Sequence, residues 1–360
     1  MKYLIQKEPN WIYEAAACLT ERYVESENKV IENHNKFGMT KDEMEGFFEK
    51  YKSYKKAVLK DISPIYTEFS SYQWLFEPLE SLSEPKGSIG IGLVVTLGGK
   101  DVLELTDEDI DGIVDEYIID LVVDYGGSEG QEVQLKGLEE LVNILVDTTL
   151  HDSLKVKLIK LYSTRYETVR KMGEILYRCL PACKEHFHLI EEDYLSILKD
   201  LEGVSNLQKL FTTFVGIRLQ LEQVCRLSLS IFAFNALTLE LKEDEGFYFL
   251  GIYFLKLVEL KDKFKVSDED MVTTLKALSD STRVKILRLL KERNMYLKEL
   301  ADRVQLTPAT VSHHIDVLMQ SELVSITLGE ENARKVFYQL NSSRLRSIGH
   351  KIIDMALKEE

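Results

Sequence analysis

Residues 307–320 constrain this chain of 360 residues more than any other stretch: Thr307-Pro308-Ala309-Thr310-Val311-Ser312-His313-His314-Ile315-Asp316-Val317-Leu318-Met319-Gln320. Threonine is a good helix N-cap, and a proline right after it supplies a helical φ where no N–H is needed, so the pair predicts a helix start. Val311, Ile315 and Leu318 then recur at i, i+4 and i+7, which gives the helix one buried stripe. The other face carries Ala309, Thr310, Ser312, His313 and Gln320. It is polar, and small enough at its N-terminal end to approach another molecule closely.

The flanking residues turn this helix into part of a domain. Ser267-Asp268-Glu269-Asp270 reads as a capping box opening a helix with the stripe Met271, Leu275 and Leu278. Asp280 caps a second helix that points Val284, Ile286, Leu287 and Leu290 inward. Residues 297–304 form a third, short helix, and Gln305-Leu306 turns the chain into residues 307–320. Two helices joined by so short a turn are a helix-turn-helix. Val324, Ile326 and Leu328, then Val336, Tyr338 and Leu340, alternate on either side of Gly329-Glu330-Glu331-Asn332-Ala333, a β-hairpin wing. A last helix over residues 342–358 carries Leu345, Ile348, Ile352 and Met355 at spacings of three and four, a stripe that invites a partner helix.

Ala277-Leu278-Ser279-Asp280-Ser281-Thr282-Arg283-Val284-Lys285-Ile286-Leu287, Leu297-Lys298-Glu299-Leu300-Ala301 and Thr310-Val311-Ser312-His313-His314-Ile315 together resemble the ArsR family of bacterial winged-helix repressors. Arg334-Lys335-Val336-Phe337-Tyr338 is similar to the family's basic and aromatic second wing strand. The resemblance covers about a quarter of the chain. It implies a homodimer joined through first and last helices, here with Leu345, Ile348, Ile352 and Met355, that binds a palindromic operator in double-stranded DNA and releases it when an effector binds. Ala309, Thr310 and His313 would lie nearest base edges, with at least one of His313 and His314 touching DNA. Thr307 and Ser312 would bond phosphates, and Arg334 and Lys335 would hold the flanking backbone or minor groove. Two departures are visible. Ser281 stands where a proline is usual, and Glu322 where a glycine usually ends the recognition helix, so a different C-cap is expected. The family's metal chemistry does not carry over. Residues 297–304 hold no cysteine, none follows Cys225, and His350 with Asp354 falls short of a zinc ligand set.

Charge is placed to match. The net charge of −15 argues at first against a nucleic-acid partner, yet 14 of the 45 basic and 11 of the 60 acidic residues lie in 271–360, a net of +3 that leaves −18 on the preceding 270 residues. An acidic remainder repels stray DNA and favours a specific binder. No apolar run reaches membrane-spanning length and the N-terminus lacks a signal-peptide core, so no membrane partner and a cytoplasmic location are expected. Cys18, Cys179, Cys183 and Cys225 read as reduced thiols.

The first 265 residues are less legible. Residues 1–80 read as mostly helical, with Phe47, Phe48, Tyr51, Tyr54, Tyr66, Phe69, Tyr72, Trp74 and Phe76 as core aromatics. Residues 85–100 are glycine-punctuated and read as a loop with a short strand; Val94 and the residue after Lys100 rule out a phosphate loop. Thr106-Asp107-Glu108-Asp109-Ile110-Asp111-Gly112 imitates a calcium loop, but Ile118 stands at its twelfth position, so a capped acidic helix start is expected. Cys179, Cys183, His186 and His188 could bind a thiophilic metal, but their crowding on one helix end, expected to break near Pro181, favours a structural role. Residues 223–241 alternate as a half-buried strand and residues 246–251 as a second.

The expectation is therefore a mainly α chain with small β elements (α+β). Residues 1–265 would be a helical sensing or partner-binding region with a few strands and room for two subdomains, and residues 266–360 a winged helix-turn-helix. The expected function is sequence-specific transcriptional regulation, as a repressor, without enzymatic activity or a cofactor, and with an unidentified effector or partner at the N-terminal region. The rival reading is an enzyme or ligand-binding protein whose winged helix is a regulatory or protein-interaction module.

Overall fold

The computed structural model describes residues 2–79, 87–124, 135–202, 224–241, 245–263, 268–328 and 336–356. Among the described residues, ten helices precede the central strands: α1 (Trp11–Glu21), α2 (Ser26–Glu32), α3 (Lys41–Phe47), α4 (Glu49–Glu68), α5 (Ile89–Thr96), α6 (Asp107–Asp124), α7 (Leu138–Val146), α8 (Asp152–Ser163), α9 (Arg165–Glu185) and α10 (Glu191–Glu202). With them goes a four-stranded sheet of order β1-β2-β4-β3, comprising β1 (Lys2–Ile5), β2 (Val224–Ser230), β3 (Leu237–Leu241) and β4 (Glu245–Gly251). β1 and β4 run parallel to β2, and β3 is antiparallel to β4. The fold is α+β with few strands.

Several local expectations change. The alternation over 223–241 is two strands, β2 and β3, separated by a turn through residues 231–236. β2 is central and covered on both faces, so Ser228 and Ser230 are buried along with Leu227 and Leu229. β1 lies in a region expected to be helical; four residues are too few to show a period, and their partner is more than 200 residues away. Residues 89–96 are helix rather than loop and strand. Their glycines serve packing: a Cβ on Gly90 would lie 2.6 Å from the Phe76 ring, and one on Gly92 would lie 2.2 Å from Tyr117. Pro181 does not break α9, which runs on to Glu185.

Other readings match the structure. Thr106 caps α6, its Oγ1 accepting from the Asp109 N–H at 3.1 Å while the Asp109 carboxylate accepts from the Thr106 N–H at 3.0 Å. Phe48, Tyr51, Tyr54, Phe69, Trp74 and Phe76 are buried in the core. Cys179 and Cys183 are buried too, and burial pushes the Cys179 thiol up to about 12. His186 Nε2 instead lies 2.7 Å from Asp61 Oδ2, and His188 Nδ1 lies 2.9 Å from the Glu185 carbonyl. Among the described residues these four side chains do not gather into a ligand set.

The sheet is anchored by a buried acid. Glu14 of α1 accepts backbone N–H bonds from Ile231 at 3.1 Å and Phe232 at 3.0 Å, just past the end of β2. Burial pushes its carboxyl from an ordinary 4.5 up to about 7, against the downward pull of those bonds. The folded state therefore holds this proton more tightly than the unfolded chain does. The resulting stabilisation is full below the ordinary value and is lost as pH rises through about 7. Urea unfolding from pH 4 to 8 should show wild type losing roughly 3 kcal/mol relative to Glu14→Gln. A difference that does not vary with pH would exclude Glu14 as the titrating group.

The last part of the chain forms α11 (Phe254–Lys263), α12 (Asp268–Leu278), α13 (Ser281–Glu292), α14 (Leu297–Val304), α15 (Pro308–Gln320), the antiparallel pair β5 (Val324–Leu328) and β6 (Val336–Leu340), and α16 (Ser342–Ala356). The buried apolar residues from 277 to 324 form a core separate from the one spanning residues 13–257. Among the described residues, no helix is long and apolar enough to cross a membrane.

Candidate nucleic-acid interface

α15 starts where the capping chemistry places it, with the Thr307 Oγ1 accepting from the Thr310 N–H at 3.2 Å and Pro308 in the first turn. Val311, Ile315 and Leu318 are fully buried against α13, α14 and β5. The helix is held from behind by α14, whose Leu297, Leu300, Ala301 and Val304 are buried, and the turn between them passes through Gln305 at φ 62°. The connection needs a left-handed residue, and glutamine supplies it.

The open face of α15 presents Thr307, Ala309, Thr310 and His313, all exposed at the helix's N-terminal end. Ser312 does not belong to it. It is only 7 % exposed, as is Asp316 one turn later, so the expected phosphate contact by Ser312 is corrected to an internal position. The cause is angular, since residue 312 sits between the buried positions 315 and 316 on the helix wheel. His314 is also turned inward, with its Nδ1 3.7 Å from Asp280 Oδ1. Asp280 caps α13 by accepting from the Arg283 N–H at 2.9 Å, a bond that holds its carboxyl below the usual carboxylate range. Thr307→Ala should cost about 1 kcal/mol of stability through the lost cap. Ser312→Ala should leave the salt dependence of DNA binding unchanged, because a buried hydroxyl reaches no phosphate; a shallower salt slope would show otherwise.

β5 and β6 form the expected wing stem, and Met295 adds a bridge to it, exchanging backbone hydrogen bonds with Tyr338 at 3.2 and 2.8 Å. That bridge, which joins the approach to α14 to the wing, had no periodic signal in the sequence. Arg334 and Lys335 lie outside the described residues, as do the side chains of His350 and Asp354. α15 closes in a Schellman motif: the Glu322 N–H donates to Met319 O and the Leu323 N–H to Leu318 O, both at 2.9 Å, with Glu322 at φ 61°. The cap keeps its usual geometry although its left-handed residue is a glutamate.

The first and last helices of the domain divide the stripe expected for dimerisation. Ile348 is buried against Met271, and Leu345 packs on the domain core, so these two hold the domain together. Ile352 and Met355 are exposed at 40 % and 70 %, and Ile353, Val272 and Leu275 join them on the surface. Leu275 was expected inside. The fixed point is Met271 against Ile348, which turns the α12 positions one and four residues later outward.

The domain thus combines a helix-turn-helix that has a small polar helix face with a two-stranded wing stem and exposed apolar side chains on its end helices. The pattern of the bacterial regulatory protein arsR family matches residues 280–325, from the cap of α13 into β5. The transcriptional repressor SdpR of Bacillus subtilis (strain 168) is 34% identical over 76 residues, 21% of this chain and 81% of that protein. The chain belongs to the ArsR family. Also similar are the arsenical resistance operon repressor of Staphylococcus aureus, 36% identical over 83 residues (23% of this chain, 77% of that one), and a cadmium resistance transcriptional regulatory protein CadC homolog of Staphylococcus aureus, 30% identical over 92 residues (25% and 74%). The N-terminal part is not matched, and no solved structure matches the chain. This ArsR-family protein is a DNA-binding transcriptional regulator, and the helix-turn-helix is the part that binds.

Proposed function

We propose that this ArsR-family chain is a sequence-specific repressor that binds a palindromic operator as a homodimer and carries out no catalysis of its own. The observation that carries the reading is the exposure of Ala309, Thr310 and His313 together at the N-terminal end of a helix whose back is fully buried. Those side chains enter the major groove, where threonine and histidine hydrogen-bond base edges and alanine meets a thymine methyl. Thr307 and the helix N-terminus sit against phosphate. Arg334 and Lys335 of the wing hold the neighbouring backbone or minor groove. The exposed apolar residues of α12 and α16 join two copies, which sets half-sites about 10 bp apart or a multiple of that. The names of the relatives, repressors among them, support the sign of the output. The N-terminal region senses a signal or partner and alters the separation of the two recognition helices.

Genome-wide footprinting of the full chain tests this. Discrete protected sites with two-fold symmetry, upstream of genes whose transcripts rise when the protein is deleted, are expected. Uniform, sequence-independent protection would sink the reading.

A further inference from the structure

The guanidinium of Arg344, in the first turn of α16, lies between two carboxylates from different elements. Its Nη2 is 3.2 Å from Asp270 Oδ1 in the first turn of α12, and its Nε is 3.5 Å from Glu322 Oε2 just past the end of α15. All three side chains are largely removed from water, with Arg344 at 16 %, Asp270 at 15 % and Glu322 at 26 % side-chain exposure. A second pair, Lys351 Nζ to Asp268 Oδ1 at 2.9 Å, ties the same two end helices together further along. Glu269, beside Asp270, accepts from Asn35 Nδ2 of the N-terminal region at 2.5 Å.

The backbone under Glu322 makes this arrangement informative. Its φ of 61° is a left-handed conformation that glycine adopts without penalty and a residue with a Cβ does not. The Schellman cap would close at least as well on glycine. What glycine would lack is the carboxylate that meets Arg344. A strained residue kept where its side chain reaches across to another element points to a use for that side chain.

We propose that Arg344 is a positioning residue for DNA binding: by pairing with Asp270 and Glu322 at once, it sets the angle of the recognition helix α15 relative to the α12 and α16 pair. In a two-fold dimer built on those end helices, that angle decides whether both recognition helices fit successive major grooves. The pairing therefore acts on affinity through geometry, without touching DNA. The proposal rests on the reading of α15 as the DNA reader.

The test is a double-mutant cycle in the full-length protein, with Glu322→Gln, Arg344→Gln and the pair combined. Each is measured by fluorescence anisotropy against a labelled duplex that wild type selects from a random library, alongside thermal unfolding. Each single variant should weaken binding by roughly fivefold or more, the scale of a coupling between sites. The double variant should lose little beyond Arg344→Gln alone, because that variant already removes the pairing with Glu322. Glu322→Gly separates positioning from stability: its thermal midpoint should stay level or rise as the left-handed strain is relieved, while its DNA affinity still falls. Removing a negative charge from a DNA-binding domain would by itself strengthen binding, so a fall cannot come from the charge alone. Affinities within twofold of wild type for Glu322→Gln and Glu322→Gly, or strictly additive losses in the cycle, would overturn the proposal. Wild type that selects no duplex at all would remove the reading of α15 itself, a failure distinguishable from the first.

Discussion

Replacing Thr310 and His313 together by alanine should lower affinity for the selected operator by roughly a hundredfold or more and flatten the preference for it over unrelated DNA. A good side chain to base contact contributes about 1–3 kcal/mol of discrimination, and these two side chains are exposed at the N-terminal end of α15, the end proposed to enter the groove. Neither substitution opens the core, because Val311, Ile315 and Leu318 carry the packing on the opposite face. Stability should therefore move little, apart from the loss of the Thr310 hydroxyl that lies 2.8 Å from the Thr307 hydroxyl. Anisotropy titrations against specific and random duplexes at two salt concentrations distinguish the cases. Loss of base reading lowers the specific affinity and leaves the salt slope intact, whereas loss of phosphate contacts reduces both. Unchanged affinity and specificity would mean that another surface reads the DNA.

The second large effect concerns assembly. Ile352→Asp combined with Met355→Asp should shift the protein from dimer to monomer in sedimentation equilibrium and lower operator affinity by about a thousandfold or more, toward non-specific binding. Both side chains are exposed in the single chain, so an aspartate there costs the fold little but puts charge at the centre of the proposed apolar dimer contact. Ile348→Asp is the contrasting variant. It buries a carboxylate against Met271 at a site only 1 % exposed, and should unfold the junction of α12 and α16 rather than dissociate intact subunits. If the Ile352/Met355 variant stayed dimeric and bound operator as wild type does, the N-terminal region would have to supply the dimer contact.

These two experiments probe surfaces that were legible to different degrees in the sequence. α15 was nearly complete there, since a cap, a proline and a 3.6-residue stripe are local signals that the backbone obeys without help from distant residues. The helix wheel failed only for residues at the edge of the buried arc, Ser312 and His314, whose direction depends on where the neighbouring helices lie. The end helices were legible as amphipathic, but which part of each stripe faces inward was not. Leu345 and Ile348 went to the domain's own core and Ile352 and Met355 to the surface, a division fixed by Met271 of α12 packing on Ile348. The N-terminal region was legible least. Its sheet pairs Lys2–Ile5 with residues 224–227, and such long-range registers leave no periodic mark in a four-residue strand.

Taken by itself, the order of residues determined the short-range features of the C-terminal domain: its capped helices, the turn through Gln305 and Leu306, the wing stem, and the excess of positive charge over residues 271–360 against an acidic remainder. Tertiary structure alone decided what depends on bringing separated segments together. It buried Ser312, seated Glu14 on the N–H groups past β2, and placed Arg344 between carboxylates 74 positions before it and 22 before it in sequence. The physical reason is the range of the forces involved. Backbone capping and helical periodicity act within a turn or two, whereas burial and ion pairing act on whichever groups the completed fold makes neighbours.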